Sequence, residues 1–169
     1  MARDPHFWLV LITAALAMEF WAMLLHGRLW HGPWWPAHKS HHTSRTGWWE
    51  ANDVFAAMHA SVAIVLIVAG LEHRLGVHSE LFVAAGYGMT VFGMAYFVVH
   101  DGLIHGRLPV GFLSRIDWLR RIRNAHQVHH RLDAAPYGLF LGPWELRRAT
   151  VSNGKAPRNR SPSHRISQH

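Results

Sequence analysis

No cysteine occurs among the 169 residues, so neither a disulfide framework nor a thiolate metal site is available. Carboxylates are also scarce: 10 Asp and Glu stand against 17 Lys and Arg, for a formal net charge of +7. An excess of this sign suits nucleic acid or an anionic membrane surface. Position favours the membrane, because the basic residues lie in connections beside long apolar runs. No nucleotide or flavin motif is present. What is abundant is histidine, with 16, and tryptophan, with 9. Several tryptophans stand at the ends of apolar runs, where membrane proteins place interfacial aromatics. The mean hydropathy of 0.00 averages these two populations, apolar runs and basic connections.

Three runs are predicted to cross a bilayer: His6 to Leu25, Val54 to Leu71 and Glu80 to Val99. Each is about 18–20 residues, the length needed for a ~30 Å hydrocarbon core at ~1.5 Å per residue. The runs lack the polar face of an amphipathic helix in a soluble bundle, which is the alternative. The first run holds Glu19, exceeds the apolar core of a secretory signal and leads directly into a histidine motif, so it is read as a retained span. Gly86, Gly88 and Gly93 in the third run permit close helix packing or a bend. Splitting that run into two crossings would separate residues 26–49 from residues 100–169, and three crossings keep them on one side. That side carries Arg28, Lys39, Arg45, Arg107, Arg115, Arg120, Arg121, Arg123 and Arg131. The other has Arg3 and an Arg74 balanced by Glu72. The positive-inside rule then makes the histidine side cytoplasmic.

Ten histidines fall in four clusters. His26 and His31 form H-x4-H, and His38, His41 and His42 form H-x2-H-H. His100 and His105 repeat the first pattern, and His126, His129 and His130 the second. One copy follows the first span and the other the third. On a helix, positions i, i+3 and i+4 share a face, so H-x2-H-H is predicted to point three imidazoles one way. H-x4-H puts two side chains on different sides of a regular helix and calls for a distortion or a helix end. Gly27, Gly32 and Pro33, and then Gly102, Gly106 and Pro109, suit one. Imidazole binds iron, zinc, copper and nickel alike. Ten are too many for one ion and suit two, with about five each and room for a small exogenous ligand. The competing reading is basic or interfacial histidine without metal, which a fourfold ordered repeat on one membrane face disfavours.

A metal-bound histidine generally donates its second N–H to a carboxylate or carbonyl. Glu19, two helical turns before His26 on the same face and costly inside a span, is one predicted partner. Asp53 and Asp101 are the others, with helix capping as their alternative role. No catalytic residue separate from the metal ligands is identified. His59, inside the second span, reads as a core polar contact. His6, His73 and His78 fall on the far side, and His164 and His169 in the tail. The expected architecture is an all-α integral membrane protein: about three transmembrane helices plus cytoplasmic helices carrying a polyhistidine di-metal site. Residues 1–151 form one membrane-embedded catalytic domain, and 152–169 a basic disordered tail.

The ten-histidine order resembles that of the fatty acid hydroxylase/sterol desaturase superfamily of membrane di-iron enzymes. Trp35 to His42, Glu50 to Asp53, Tyr96 to Leu103 and Tyr137 to Pro143 are similar to stretches of the bacterial β-carotene hydroxylases within it. With the histidine motifs these cover roughly residues 19–145, and His59 departs from the apolar residue expected there. The resemblance implies two Fe2+ ions on His26, His31, His38, His41, His42, His100, His105, His126, His129 and His130. It implies O2 as co-substrate and electrons from reduced ferredoxin and its reductase. The implied reaction is hydroxylation at C3 of each β-ionone ring of β-carotene, giving β-cryptoxanthin and then zeaxanthin. The implied location is the bacterial inner membrane. A fatty acyl, sterol or other carotenoid substrate would use the same metal site. A membrane haem or metal-ion carrier is the non-enzyme alternative, but its ligands belong within the spans rather than beyond their ends.

Overall fold

The computed structural model describes residues 4–43 and 47–152. Arg3, Arg45, His164, His169 and the expected tail from residue 153 onward lie outside them. All regular structure among the described residues is helical. α1 (Pro5–Leu25) runs on as a π-helix (His26–Trp30). α2 (Trp35–His38) continues as a 3-10 turn (Lys39–His42). α3 (Asp53–Leu71) and α4 (Ser79–Tyr96) follow, and α4 also ends in a π-helix (Phe97–Ile104). α5 (Asp117–Leu132) and α6 (Gly142–Ser152) complete the described residues, so helix reaches the residue at which composition places the start of the tail.

Among the described residues, three helices are long and apolar enough to span a membrane: Pro5–Trp30, Asp53–Leu71 and Gly76–Ile104. Only 11% of the most apolar window of the first and 17% of that of the second are buried within the protein. Leu9, Leu16, Ile64 and Val65 each expose at least 60% of their surface. Such continuous apolar faces suit lipid and would be a large interaction patch in water. α1 and α3 both pack along α4, the most buried of the three. Two glycines allow this. A Cβ on Gly88 would lie 2.8 Å from the Ala14 Cβ and press on the Leu11 carbonyl of α1. A Cβ on Gly86 would lie 2.6 Å from Ile67 and 2.9 Å from the Ala63 carbonyl of α3. Gly93, expected to act similarly, has nothing within 4 Å of its missing Cβ and borders a cavity instead.

The odd number of spans brings the chain after α1 and the chain after α4 to one end of the bundle. There α5 packs on the α4 π-helix and on α6, and closes the histidine region. α5 is amphipathic: Ile122, Ala125, His126 and His129 are buried, while Arg120 and Arg131 face out.

Candidate metal centre and the adjoining cavity

Both H-x4-H motifs lie on π-helical turns. The amide of His31 donates to the His26 carbonyl, and that of His105 to the His100 carbonyl, each at 3.0 Å. A π-turn closes over five residues where an α-turn closes over four. A spacing that would hold the imidazoles apart on a regular helix therefore brings them together. The ring centroids are 5.1 Å apart for His26 and His31 and 4.7 Å apart for His100 and His105.

The H-x2-H-H motifs depart from the single three-imidazole face expected of them. The candidate ligand nitrogens of His26, His31, His38, His42 and His129 lie within 4.8 Å of one another. Those of His41, His105, His126 and His130 form a second such group. His100 adjoins the second group through His41, Nε2 to Nε2 at 3.0 Å. Each group thus draws on both copies of the repeat, and the middle histidines His41 and His129 cross over. On α5 the reason is angular. Positions i and i+4 differ by about 40° around an α-helix, whereas i+3 lies about 100° from i+4. Where two groups sit side by side, i and i+4 reach one and i+3 reaches the other.

The outer nitrogens are held in place. His26 Nδ1 is 2.8 Å from the Tyr137 carbonyl, and His129 Nδ1 is 2.7 Å from that of Ala134. His38 Nδ1 is 2.7 Å from Asn52 Oδ1. His41 Nδ1 faces Glu50 at 3.1 Å, and His100 Nδ1 faces Asp101 at 3.2 Å. An Asp133 oxygen lies 2.8 Å from His42 Nδ1, though off its hydrogen-bonding axis. An acceptor at Nδ1 keeps the proton there and leaves Nε2 as a bare lone pair. Yet the Nε2 atoms face each other, at 3.0 Å for His26 and His38 and 3.0 Å for His41 and His100. Two lone pairs at that distance repel unless a cation lies between them. Two imidazoles about 2.0–2.1 Å from one ion and at right angles about it would be about 3.0 Å apart. The donor set therefore fits metal ions bound through Nε2.

Burial reinforces this. It pushes His38 and His105 down to about 3, His129 to about 4 and His130 to about 2, and lowers His41 and His126 well below the ordinary range. Near neutrality these rings are neutral, the form that binds metal. The unfolded chain binds protons at these histidines below about pH 6.5, and the folded chain only at lower pH. Stability therefore rises with pH across this window and is lost on acidification from about 6.5 toward 3. The chelator-treated protein should melt at a clearly lower temperature at pH 5 than at pH 7.5. An unchanged melting temperature would contradict the burial of these rings.

Of the predicted supporting residues, Asp101 contacts a histidine directly. Asp53 does not: it accepts from the Glu50 amide at 3.0 Å and binds Arg107, Oδ1 to Nη1 at 2.8 Å. Glu19 shares a face with His26, but its Oε1 accepts from the Leu141 amide at 2.8 Å. The loop before α6 comes between them. Its Tyr137 carbonyl serves His26, while the Leu141 amide at its far end binds one carboxylate oxygen of Glu19, whose buried Oε2 has no hydrogen-bond partner. His59 makes polar contacts inside the spans, half-buried in the wall of a cavity rather than in the core. Its Nδ1 donates to the Phe55 carbonyl at 2.7 Å, and its Nε2 accepts from Trp21 at 3.2 Å. Glu50, Asn52, Arg107, Asp133, Ala134 and Tyr137 have no role that the sequence alone assigns. The rule that metal-bound imidazoles need outer acceptors points to such residues but does not say which.

A cavity of about 560 Å³ lies between α1, α3 and α4. Within the membrane it is lined by apolar and small residues such as Met18, Ala60, Ala63 and Gly93. It ends at His100, Asp101 and Arg107.

Residues 11–149 match the fatty acid hydroxylase family, most of the chain and all four histidine clusters. The chain belongs to this family. It is 49% identical over 140 residues to beta-carotene hydroxylase 1, chloroplastic, of Capsicum annuum, covering 82% of this chain and 44% of that protein. It is 49% identical over 137 residues to beta-carotene 3-hydroxylase 1, chloroplastic, of Arabidopsis thaliana, covering 80% and 44%. A bacterial relative, the beta-carotene hydroxylase of Pseudescherichia vulneris, is 44% identical over 122 residues, covering 72% and 66%. The chain thus spans less than half the length of these plant relatives. No solved structure matches it significantly.

Proposed function

We propose that this chain is a β-carotene 3-hydroxylase, a non-haem di-iron monooxygenase that converts β-carotene to β-cryptoxanthin and zeaxanthin. The observation that carries the proposal is the pair of imidazole groups, with opposed Nε2 atoms, at the polar end of an apolar intramembrane cavity. The hydroxylases named among its relatives support the substrate. His26, His31, His38, His42 and His129 hold one iron, and His41, His100, His105, His126 and His130 the other. When bound, the irons supply the activation of O2 needed to hydroxylate an unactivated C–H bond.

The chain supplies the rest. The cavity takes one β-ionone ring and the adjoining polyene from the bilayer, and Ala60, Ala63 and Gly93 leave width for the rod. A carotenoid is about as long as the ~30 Å hydrocarbon core, so a ring inserted along the spans reaches the interface where the histidines begin. His100, a motif histidine in the cavity wall, marks the end at which C3 is presented. Tyr137, Ala134, Asn52, Glu50 and Asp101 hold the Nδ1 protons and fix the direction of each ring. Residues 1–151 form the catalytic domain. The enzyme lies in a bacterial inner membrane with the histidine end cytoplasmic, where Arg120, Arg121 and Arg131 favour approach of an acidic donor such as reduced ferredoxin.

Expression in β-carotene-producing cells, with carotenoids separated by chromatography, tests the proposal. Zeaxanthin or β-cryptoxanthin should appear with the intact chain and not with the His129→Ala, His130→Ala variant. Unchanged β-carotene, with the protein metal-loaded in the membrane and supplied with a donor, would refute the substrate and redirect the assignment to another lipid.

A further inference from the structure

The two imidazole groups differ in what stands behind them. Around the first, His26, His38 and His129 face neutral acceptors: the Tyr137 carbonyl, the Asn52 amide oxygen and the Ala134 carbonyl. The Asp133 beside His42 is exposed and its charge is screened by solvent. Around the second, His41 and His100 face the carboxylates of Glu50 and Asp101. These side chains are only 10% and 15% exposed, so their charge is little screened. Both are gripped by one guanidinium. Arg107, whose side chain is 8% exposed, reaches Asp101 at 2.9 Å, Asp53 at 2.8 Å and Glu50 at 3.4 Å. One cation among three carboxylates leaves net negative charge behind His41 and His100. The cluster joins residues from before α3, from its first turn and from beyond the α4 π-helix, so it also fixes the relative position of the two histidines.

We propose that Glu50, Asp101 and Arg107 act as one positioning unit that makes the metal position beside the cavity the tighter-binding and more electron-rich of the two. This rests on the reading that the histidines hold two metal ions. A carboxylate behind an imidazole raises its basicity as a ligand and fixes its orientation, and a neutral carbonyl does so less. Arg107 keeps both carboxylates aimed at their rings, and acts through them rather than on the metal. The more electron-rich position thus lies beside His100, the motif histidine that borders the cavity.

The test is a metal titration of full-length protein in detergent, stripped with chelator and refilled with Co2+ against a competing chelator. Wild type should take up two ions in two separable steps. Glu50→Gln, close in shape but uncharged, should weaken the tighter step by about 10–100-fold and leave the weaker one in place. Asp101→Asn and Arg107→Ala should do the same, and Arg107→Lys should recover some of the loss. Asn52→Asp, which puts a carboxylate behind His38, should tighten the weaker step instead. A generally loosened fold would not produce that gain. Two ions in wild type with equal affinity, or a Glu50→Gln titration that matches wild type or weakens both steps alike, would overturn the inference alone. Wild-type protein that takes up no metal would overturn it together with the metal reading beneath it.

Discussion

Replacing His129 by alanine is expected to lower the proposed hydroxylation by more than about 100-fold, beyond the ~10–100-fold that removal of an outer-sphere partner costs. His129 is wholly buried. Its Nε2 stands 3.3 Å from that of His31, and its Nδ1 is held 2.7 Å from the Ala134 carbonyl. It is also the member of the α5 cluster that crosses into the group formed mainly by the first copy of the repeat. Its loss should therefore deplete the position held by His26, His31, His38 and His42 and spare the other. His41→Ala should do the converse. Metal content and activity measured together check both: each variant should fall toward half the wild-type metal with activity nearly abolished. A His59→Ala control should keep its metal, because both ring nitrogens of His59 are engaged by Phe55 and Trp21. Wild-type metal and activity in His129→Ala would sink the ligand assignment.

That crossover marks the limit of what the sequence can say about the site. The ten histidines, their order and the shared membrane face are legible because each rests on counting: span lengths, an odd number of crossings and a repeated spacing. Which histidines meet is not legible, because it depends on packing. His129 and His130 are neighbours on α5 and separate because the 100° step between them points into two adjacent groups. The π-turns are only half legible. H-x4-H signals a distortion, but the i to i+5 bond that resolves it is found only once His26 and His100 are placed. Glu19 stands out in the sequence as costly, yet its partner is not His26, since the loop that takes its charge arrives from residue 141. Arg107 carries no signal at all. An arginine in a basic segment resembles its neighbours until three carboxylates from distant stretches of the chain surround it.

Two glycines of α4, five residues apart, give the sharpest test of how the spans serve the site. Gly88→Val is expected to unseat α1. The added atoms would meet the Leu11 carbonyl, the Ala14 Cβ and the Ala15 amide, and backbone cannot move aside as a flexible side-chain tip can. The cost should exceed the ~1–3 kcal/mol of ordinary overpacking. Because α1 carries His26 and His31 while α4 carries His100 and His105, the two halves of the histidine region should come apart together, with loss of metal and of thermal stability. Gly93→Phe is expected to behave oppositely in every respect but activity. Its added side chain enters open space within the cavity, so folding, membrane insertion and metal content should match wild type. The ring would occupy the slot between α3 and α4 and hold the proposed carotenoid substrate short of His100. A displacement of even about 1 Å can cost about 100-fold in rate, so product should fall by at least that factor. Gly93→Ala should remain close to wild type. Loss of metal in Gly93→Phe would mean that the cavity is structural, whereas full activity would mean that the substrate enters by another route.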